Sequence, residues 1–272
     1  MKKIFIPATR TEVWKAFLAS PSHWKKGYSA MSLAYCWQEA EGFPASILGV
    51  LKRSTDKLFT DIELLMAFPE YKVSLPGGSA ASQNDIFVLS KGNDQLISIM
   101  VEGKVSESFG PPVSEWFRNP SPGKKERLGF LCNKLGLEQT LLSNIRYQLL
   151  HRTVSAIIEA ERFHAPNAMM LVHSFSQSNE WFDDFAVFAS LFKIEAELDR
   201  IYSAGDIGGI NLYLGWVKGE EEYLQREPAN ENLIGTVTAR KCGCCGHHEI
   251  GIEADAGEYV PLKPGMKVEI KD

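Results

Sequence analysis

The chain is poor in cysteine, has no long apolar run and carries no excess of basic charge, and each shortage removes a class of protein. Five cysteines do not make a disulfide framework, because Cys36 and Cys132 stand alone in apolar helical contexts while Cys242, Cys244 and Cys245 crowd together. No apolar stretch approaches the ~18 to 20 residues that cross a bilayer. The opening Met1-Lys2-Lys3-Ile4-Phe5-Ile6-Pro7 is too short in apolar residues for a signal peptide. The expectation is a cytoplasmic protein with no membrane partner. A formal charge of −5 argues against a broad basic surface of the kind that binds DNA without regard to sequence. A Gly-rich phosphate loop, a Gly-x-Ser-x-Gly elbow and a zinc-protease helix motif are all missing, as are internal repeats and low-complexity tracts.

What is present is an ordinary globular composition, 44% apolar and 23% charged over 272 residues, enough for one sizeable core and a small appendage. The negative charge is uneven: residues 218–272 hold seven Lys/Arg and eleven Asp/Glu, which leaves 22 and 23 for residues 1–217. Within that nearly neutral part, Arg118, Lys124, Lys125, Arg127, Lys134, Arg146 and Arg152 make a mildly basic run, ordinarily a solvated face and here also a candidate groove. The acidic stretch 219–232 reads as a linker, so the expected organisation is a body over 1–218 and a small β module over 233–272.

Short helices are expected over Thr11–Phe17, Ser29–Trp37 and from Pro44 to Leu51, with a further helical stretch over Leu58–Phe68. From Tyr71 the texture becomes alternating and stops at Pro76-Gly77-Gly78, which predicts a strand and a turn. Asp85–Leu89 and Leu96–Lys104, separated by Lys91-Gly92-Asn93-Asp94, predict two antiparallel strands. Helices follow over Lys125–Leu135 and Leu141–Phe163, then a buried strand over Ala168–Val172, a helix over Glu180–Leu191 and a strand over Ile210–Trp216. Beyond the linker, Ile234–Arg240, His248–Ile252 and Met266–Ile270 predict short strands. The fold class is α/β, a mixed sheet flanked by helices with a small C-terminal β appendage.

The chemistry concentrates where the apolar run Ile97–Val101 ends abruptly in Glu102-Gly103-Lys104. Residues two apart on a strand share a face, so Glu102 and Lys104 project together, and Asp85 on the neighbouring strand can join them. Two carboxylates supply the oxygen ligands that Mg²⁺ prefers, and a lysine adds positive charge near a phosphate. Taken alone, Glu-x-Lys is most often a surface ion pair. Here an acidic residue opens one strand and Glu-x-Lys closes the next, within the order helix, three strands, helix, strand, and this resembles the PD-(D/E)xK (restriction-endonuclease-like) nuclease superfamily. The resemblance implies a metal-dependent phosphodiester hydrolase acting on nucleic acid, DNA before RNA, with Asp85, Glu102 and the Gly103 carbonyl holding Mg²⁺ or Mn²⁺ and Lys104 assisting water. By the same analogy Glu63 and Gln148 extend the site, and His151 and Arg152, on one helix face with Gln148, meet phosphate. A Pro before Asp85 is missing, its neighbour being Asn84. Residues 25–218 also resemble an uncharacterised bacterial family sharing phrases such as Val101-Glu102-Gly103-Lys104-Val105, Arg146-Tyr147-Gln148-Leu149-Leu150-His151-Arg152 and Leu171-Val172-His173-Ser174-Phe175. The alternative function is a catalytically silent member of that fold serving in binding or assembly, with a homodimer or a partner protein left open.

A second cluster, Cys242-Gly243-Cys244-Cys245-Gly246-His247-His248, pairs Cys242 with Cys245 across a tight turn and adds His247 and His248. Thiolate and imidazole suit Zn²⁺, yet no second C-x-x-C completes a tetrahedral site. A zinc knuckle, a structural turn and a reactive dithiol all remain open, the last disfavoured because the cluster joins two strands. His164 and His173 read as structural histidines, and the six scattered tryptophans as core anchors.

Overall fold

The computed structural model describes residues 10–228, 235–241, 248–254 and 259–262. It divides into a large unit ending at Pro228 and a small unit beginning at Ala229. The large unit holds a six-stranded sheet in the order β1-β2-β3-β4-β6-β5, with β1 at Glu63–Val73, β2 at Ser82–Gly92, β3 at Gln95–Lys104, β4 at Asn167–Ser174, β5 at Arg200–Ile207 and β6 at Ile210–Lys218. β1, β2 and β3 run antiparallel through short connections, β3, β4 and β6 run parallel, and β5 closes the far edge antiparallel to β6. A parallel neighbour needs a crossover, and the chain between β3 and β4 supplies it with α3 (Val113–Trp116), α4 (Pro122–Leu135) and α5 (Tyr147–Phe163).

Both faces of the sheet are covered. Phe87 and Leu89 of β2, Met100 of β3, Met170 and Val172 of β4 and Trp216 of β6 pack with α4, α5 and α6 (Phe182–Ser190). The alternate residues Ile86, Val88, Ile99, Val101, Met169 and Leu171 pack with α1 (Ser29–Glu39), α2 (Ala45–Arg53) and the 3₁₀ turn Thr11–Ala16. Coverage on both sides is why β4 is buried at all eight positions and reads as a continuous apolar run. The expected α/β class with a mixed sheet flanked by helices is what the chain forms. In the small unit β7 (Gly235–Lys241), β8 (His248–Ala254) and β9 (Tyr259–Pro261) make a three-stranded antiparallel sheet. The strand expected at Met266–Ile270 lies outside the described residues.

Three expectations change. Leu58–Phe68 is not a helix: a 3₁₀ turn covers Lys57–Phe59 and β1 begins at Glu63. β5 had no counterpart in the sequence reading, since this edge strand is largely exposed and bulges between Ser203 and Gly205. Residues 219–228 are not a free linker, because Glu221–Leu224 turns against α1, Glu220 accepts the Ser46 amide at 2.9 Å and Glu227 pairs with Lys26 at 2.5 Å.

Candidate active site

Asp85 stands where the β2–β3 pairing ends, one residue before the pair Ile86↔Val101, and Glu102 and Lys104 close β3. Asp85 Oδ2 accepts the Gly103 amide at 2.7 Å, so the strand end is tied down by a side chain instead of a ladder carbonyl. α5 lies over this face, placing Gln148 and Arg152, one turn apart, at the same end. Between the pairs Pro69↔Ile86 and Tyr71↔Asn84 stands Glu70, opposite Asp85 and with φ of 53°. That left-handed residue reverses the strand's alternation: Phe68 and Tyr71, three apart, both pack on Phe87, with ring centroids 5.9 and 4.7 Å away. Strain of this kind is retained where surrounding structure over-determines it, commonly at functional sites.

The cleft formed here holds about 400 Å³ and is lined by Glu70, Asp85, Glu102, Lys104, Gln148 and Arg152, with Tyr28 and Ser29 on its far wall. Glu102 is buried and both its oxygens are taken, Oε1 by Lys104 Nζ at 2.6 Å and Oε2 by Arg152 Nε at 2.5 Å. Burial alone pushes the Glu102 carboxyl up, but Arg152 and Lys104 outweigh it and hold the group below its usual value. Asp85 is the reverse: burial and the charges of Glu102 and Glu70 raise it well above the usual carboxylate range. Burial likewise pushes Glu70 up to about 7, against the hydrogen bond that Gln83 donates to its Oε2 at 2.6 Å. Glu107 is occupied by the Ser29 amide and hydroxyl and the Val105 amide, and serves as the α1 N-terminal anchor.

The expected site residues separate accordingly. Asp85, Glu102, Gly103, Lys104 and Gln148 share the cleft. Glu63 does not: it is the exposed first residue of β1, opposite Lys91 at the other end of the sheet. The carboxylate that does join the cluster is Glu70, missed because the stretch before Tyr71 was read as helical. His151 is not among the residues that line the cleft; its Nδ1 lies 2.8 Å from Ser82 Oγ, and burial beside Arg152 and Arg127 holds its pKa well below the usual imidazole value. Arg152 is committed to Glu102 and not to an open surface, with its NH1 3.3 Å from Ser82 Oγ and NH2 3.9 Å from Asp85 Oδ1. The cysteine cluster falls outside the described residues from Cys242 through His247, and His248 is the first residue of β8, opposite Lys241.

Among the described residues, Cys36, His173 and Glu220 bring three ligand-type atoms within 4.8 Å of one another. Their hydrogen bonds close on themselves. Trp37 Nε1 can only donate, and it lies 3.2 Å from His173 Nδ1, so the ring proton sits on Nε2, facing Ser46 Oγ at 3.2 Å. Ser46 Oγ in turn donates to Glu220 Oε2 at 3.1 Å. Burial pushes His173 down to about 3 and, with Glu220 adding to the effect, pushes the Cys36 thiol up. A neutral imidazole with both nitrogens engaged and a protonated thiol make a structural lock that fastens residues 219–228 to α1, α2 and β4.

Fold and site together define a two-sided α/β domain with a buried cluster of carboxylates and cations at one end of its antiparallel half. The family model described as "Domain of unknown function (DUF6946)" matches residues 7–221, and the chain belongs to that family. No curated protein and no solved structure matches it.

Proposed function

We propose that the cleft is the active site of a metal-dependent phosphodiester hydrolase acting on nucleic acid, DNA before RNA. One observation carries the reading: Asp85, Glu102, Lys104 and Gln148, from two strands and a helix, line a single cleft. The donor set fits a hard cation. Among the described residues Asp85 Oδ1 has no hydrogen-bond partner and its nearest cationic neighbour is Arg152 NH2 at 3.9 Å, and a half-buried carboxylate so short of donors favours a metal.

Asp85 and Glu102, with Glu70 beside them, would hold Mg²⁺ or Mn²⁺, which when bound supplies Lewis-acid polarisation of phosphate and water. Lys104 Nζ, held by Glu102 Oε1 and lying 4.8 Å over the Phe109 ring, puts a fixed positive charge beside the reacting phosphate. Gln148 offers both a donor and an acceptor to orient water or a phosphate oxygen. The Gly103 amide keeps Asp85 aimed into the cleft.

The test is cleavage of single- and double-stranded DNA and RNA with Mg²⁺ or Mn²⁺, comparing the unaltered protein with Lys104→Ala and Asp85→Ala. Metal-dependent cleavage lost in both folded variants is the expected result. No cleavage by the unaltered protein on any of the four substrates would sink the enzyme. A second reading, a catalytically silent binding module, is favoured by the commitment of both Glu102 oxygens to cationic side chains, and it would then stand.

A further inference from the structure

We propose that Arg152 holds the place of the metal's charge in the resting site and moves to the substrate's phosphate when a divalent cation enters, so that cation and phosphate bind cooperatively. The inference rests on the reading of the cleft as a metal-dependent phosphodiesterase site and adds to it how that site is assembled.

The guanidinium lies between the two carboxylates that have to share a cation: Nε is 2.5 Å from Glu102 Oε2, and NH2 is 3.9 Å from Asp85 Oδ1. An arginine cannot discard its charge, and a buried charge that loses its partner is strongly unfavourable. A cation entering between Asp85 and Glu102 therefore displaces the guanidinium from Glu102 only if another anion receives it. Among the described residues none is left for it: Glu70, the other carboxylate in the cleft, is itself one of the cation's proposed ligands, and Glu107 is filled by three donors from Ser29 and Val105. A phosphodiester in the cleft does, and the planar guanidinium fork suits two of its oxygens.

Arginine and not lysine is the mover. Lys104 is held by Glu102 Oε1 and by the Phe109 ring, whereas among the described residues Arg152 has, besides Glu102, the Ser82 hydroxyl at 3.3 Å and the long pairing to Asp85 at 3.9 Å. Charge balance points the same way. Lys104 and Arg152 bring two positive charges against at most three negative ones from Asp85, Glu102 and Glu70, so a divalent ion alone leaves the site with a net positive charge. A phosphate offsets part of that excess while giving Arg152 a partner.

Thermodynamic linkage makes the effect reciprocal and measurable without turnover. Calorimetric titration of MgCl₂ into the full-length protein, with and without thymidine 5′-monophosphate, is expected to show Mg²⁺ binding at least about five-fold tighter with the nucleotide, and nucleotide binding tighter by the same factor with Mg²⁺. Arg152→Gln is expected to bind Mg²⁺ more tightly than the unaltered protein without nucleotide, and to reduce the coupling to below about two-fold. Coupling below about two-fold in the unaltered protein overturns the proposal whether or not the variant folds. So does a folded Arg152→Gln protein that keeps the full coupling. If the unaltered protein binds no Mg²⁺, or Asp85→Ala binds it equally well, the metal site itself is removed and the enzyme reading fails with it. Mg²⁺ binding that Asp85→Ala abolishes but the nucleotide leaves unchanged sinks the Arg152 inference alone.

Discussion

Replacing Gly103 with alanine tests how the site is seated, because the carboxylates depend on a backbone with no room for a side chain. A Cβ at Gly103 would lie 2.1 Å from Leu33 Cδ1, 2.8 Å from Leu33 Cγ and 3.3 Å from Asp85 Oδ2. Leu33 is buried in α1 among Met31, Trp37 and Val101, so its branch has nowhere easy to go. Overpacking of this size costs about 1 to 3 kcal/mol. In a unit of this length each kcal/mol moves the melting temperature by about 2 to 4 °C, so a fall of about 2 to 12 °C is expected. Leu33→Ala alone should cost about 2 to 5 kcal/mol through its cavity. Because that truncation opens the space the new methyl needs, the double variant should be more stable than the sum of the two losses implies, by at least about 1 kcal/mol. Urea unfolding followed by tryptophan fluorescence measures all three proteins. Additivity within about 0.5 kcal/mol would show that Leu33 is not what excludes a side chain at Gly103.

Asp85→Asn should stabilise the protein near pH 7. A carboxyl whose folded pKa is raised costs stability that grows as pH rises above its unfolded value of ~3.9 and is complete once pH passes the raised folded value, so the gain from Asp85→Asn should vanish as pH falls toward ~4; equal stability of the two proteins at pH 7 would contradict this. Glu102→Gln should do the opposite and cost about 3 to 5 kcal/mol, since it leaves Arg152 and Lys104 facing a neutral amide; a loss in urea unfolding below about 1 kcal/mol would refute it. His173, pushed down to about 3, stays neutral in the fold, so its stabilising contribution is complete above the unfolded value of ~6.5 and lost as pH falls from there toward 3. Ser46→Ala, which strands His173 Nε2–H and takes the hydroxyl donor from Glu220 Oε2, should cost about 1 to 3 kcal/mol by thermal melting. Glu63→Ala should leave Mg²⁺ binding unchanged while Glu70→Gln weakens it, and calorimetry giving the reverse would return the site to the other end of β1.

Much of the site was legible in residue order. The run Ile97–Val101 ending in Glu102-Gly103-Lys104 marks a strand entering the core and finishing in charge, and α5 places Gln148 where helical spacing puts it. Glu70 was not legible. β1 is an edge strand whose Leu65 and Met66 are exposed, so burial imposes no alternation there, and the left-handed turn at Glu70 breaks what alternation remains. The role of Arg152 was half legible: its helical face is readable, but whether it meets an outside phosphate or an internal carboxylate depends on how deeply α5 sits on β3.

The sequence by itself determined the layered α/β class, the antiparallel pair β2 and β3, the crossover helix and the buried β4, because these follow from local apolar periodicity, and periodicity is set by which faces must leave water. Only the tertiary structure decided which carboxylates share a cleft, that Glu63 does not and Glu70 does, that Glu220 returns to lock His173 through Ser46, and that Arg152 stands between Asp85 and Glu102. Those are pairings between residues 15 or more positions apart, such as Glu70 with Asp85, or turns of the backbone at one residue. Their energies come from desolvation and charge at close range, and neither exists until the sheet and its helices have been brought together.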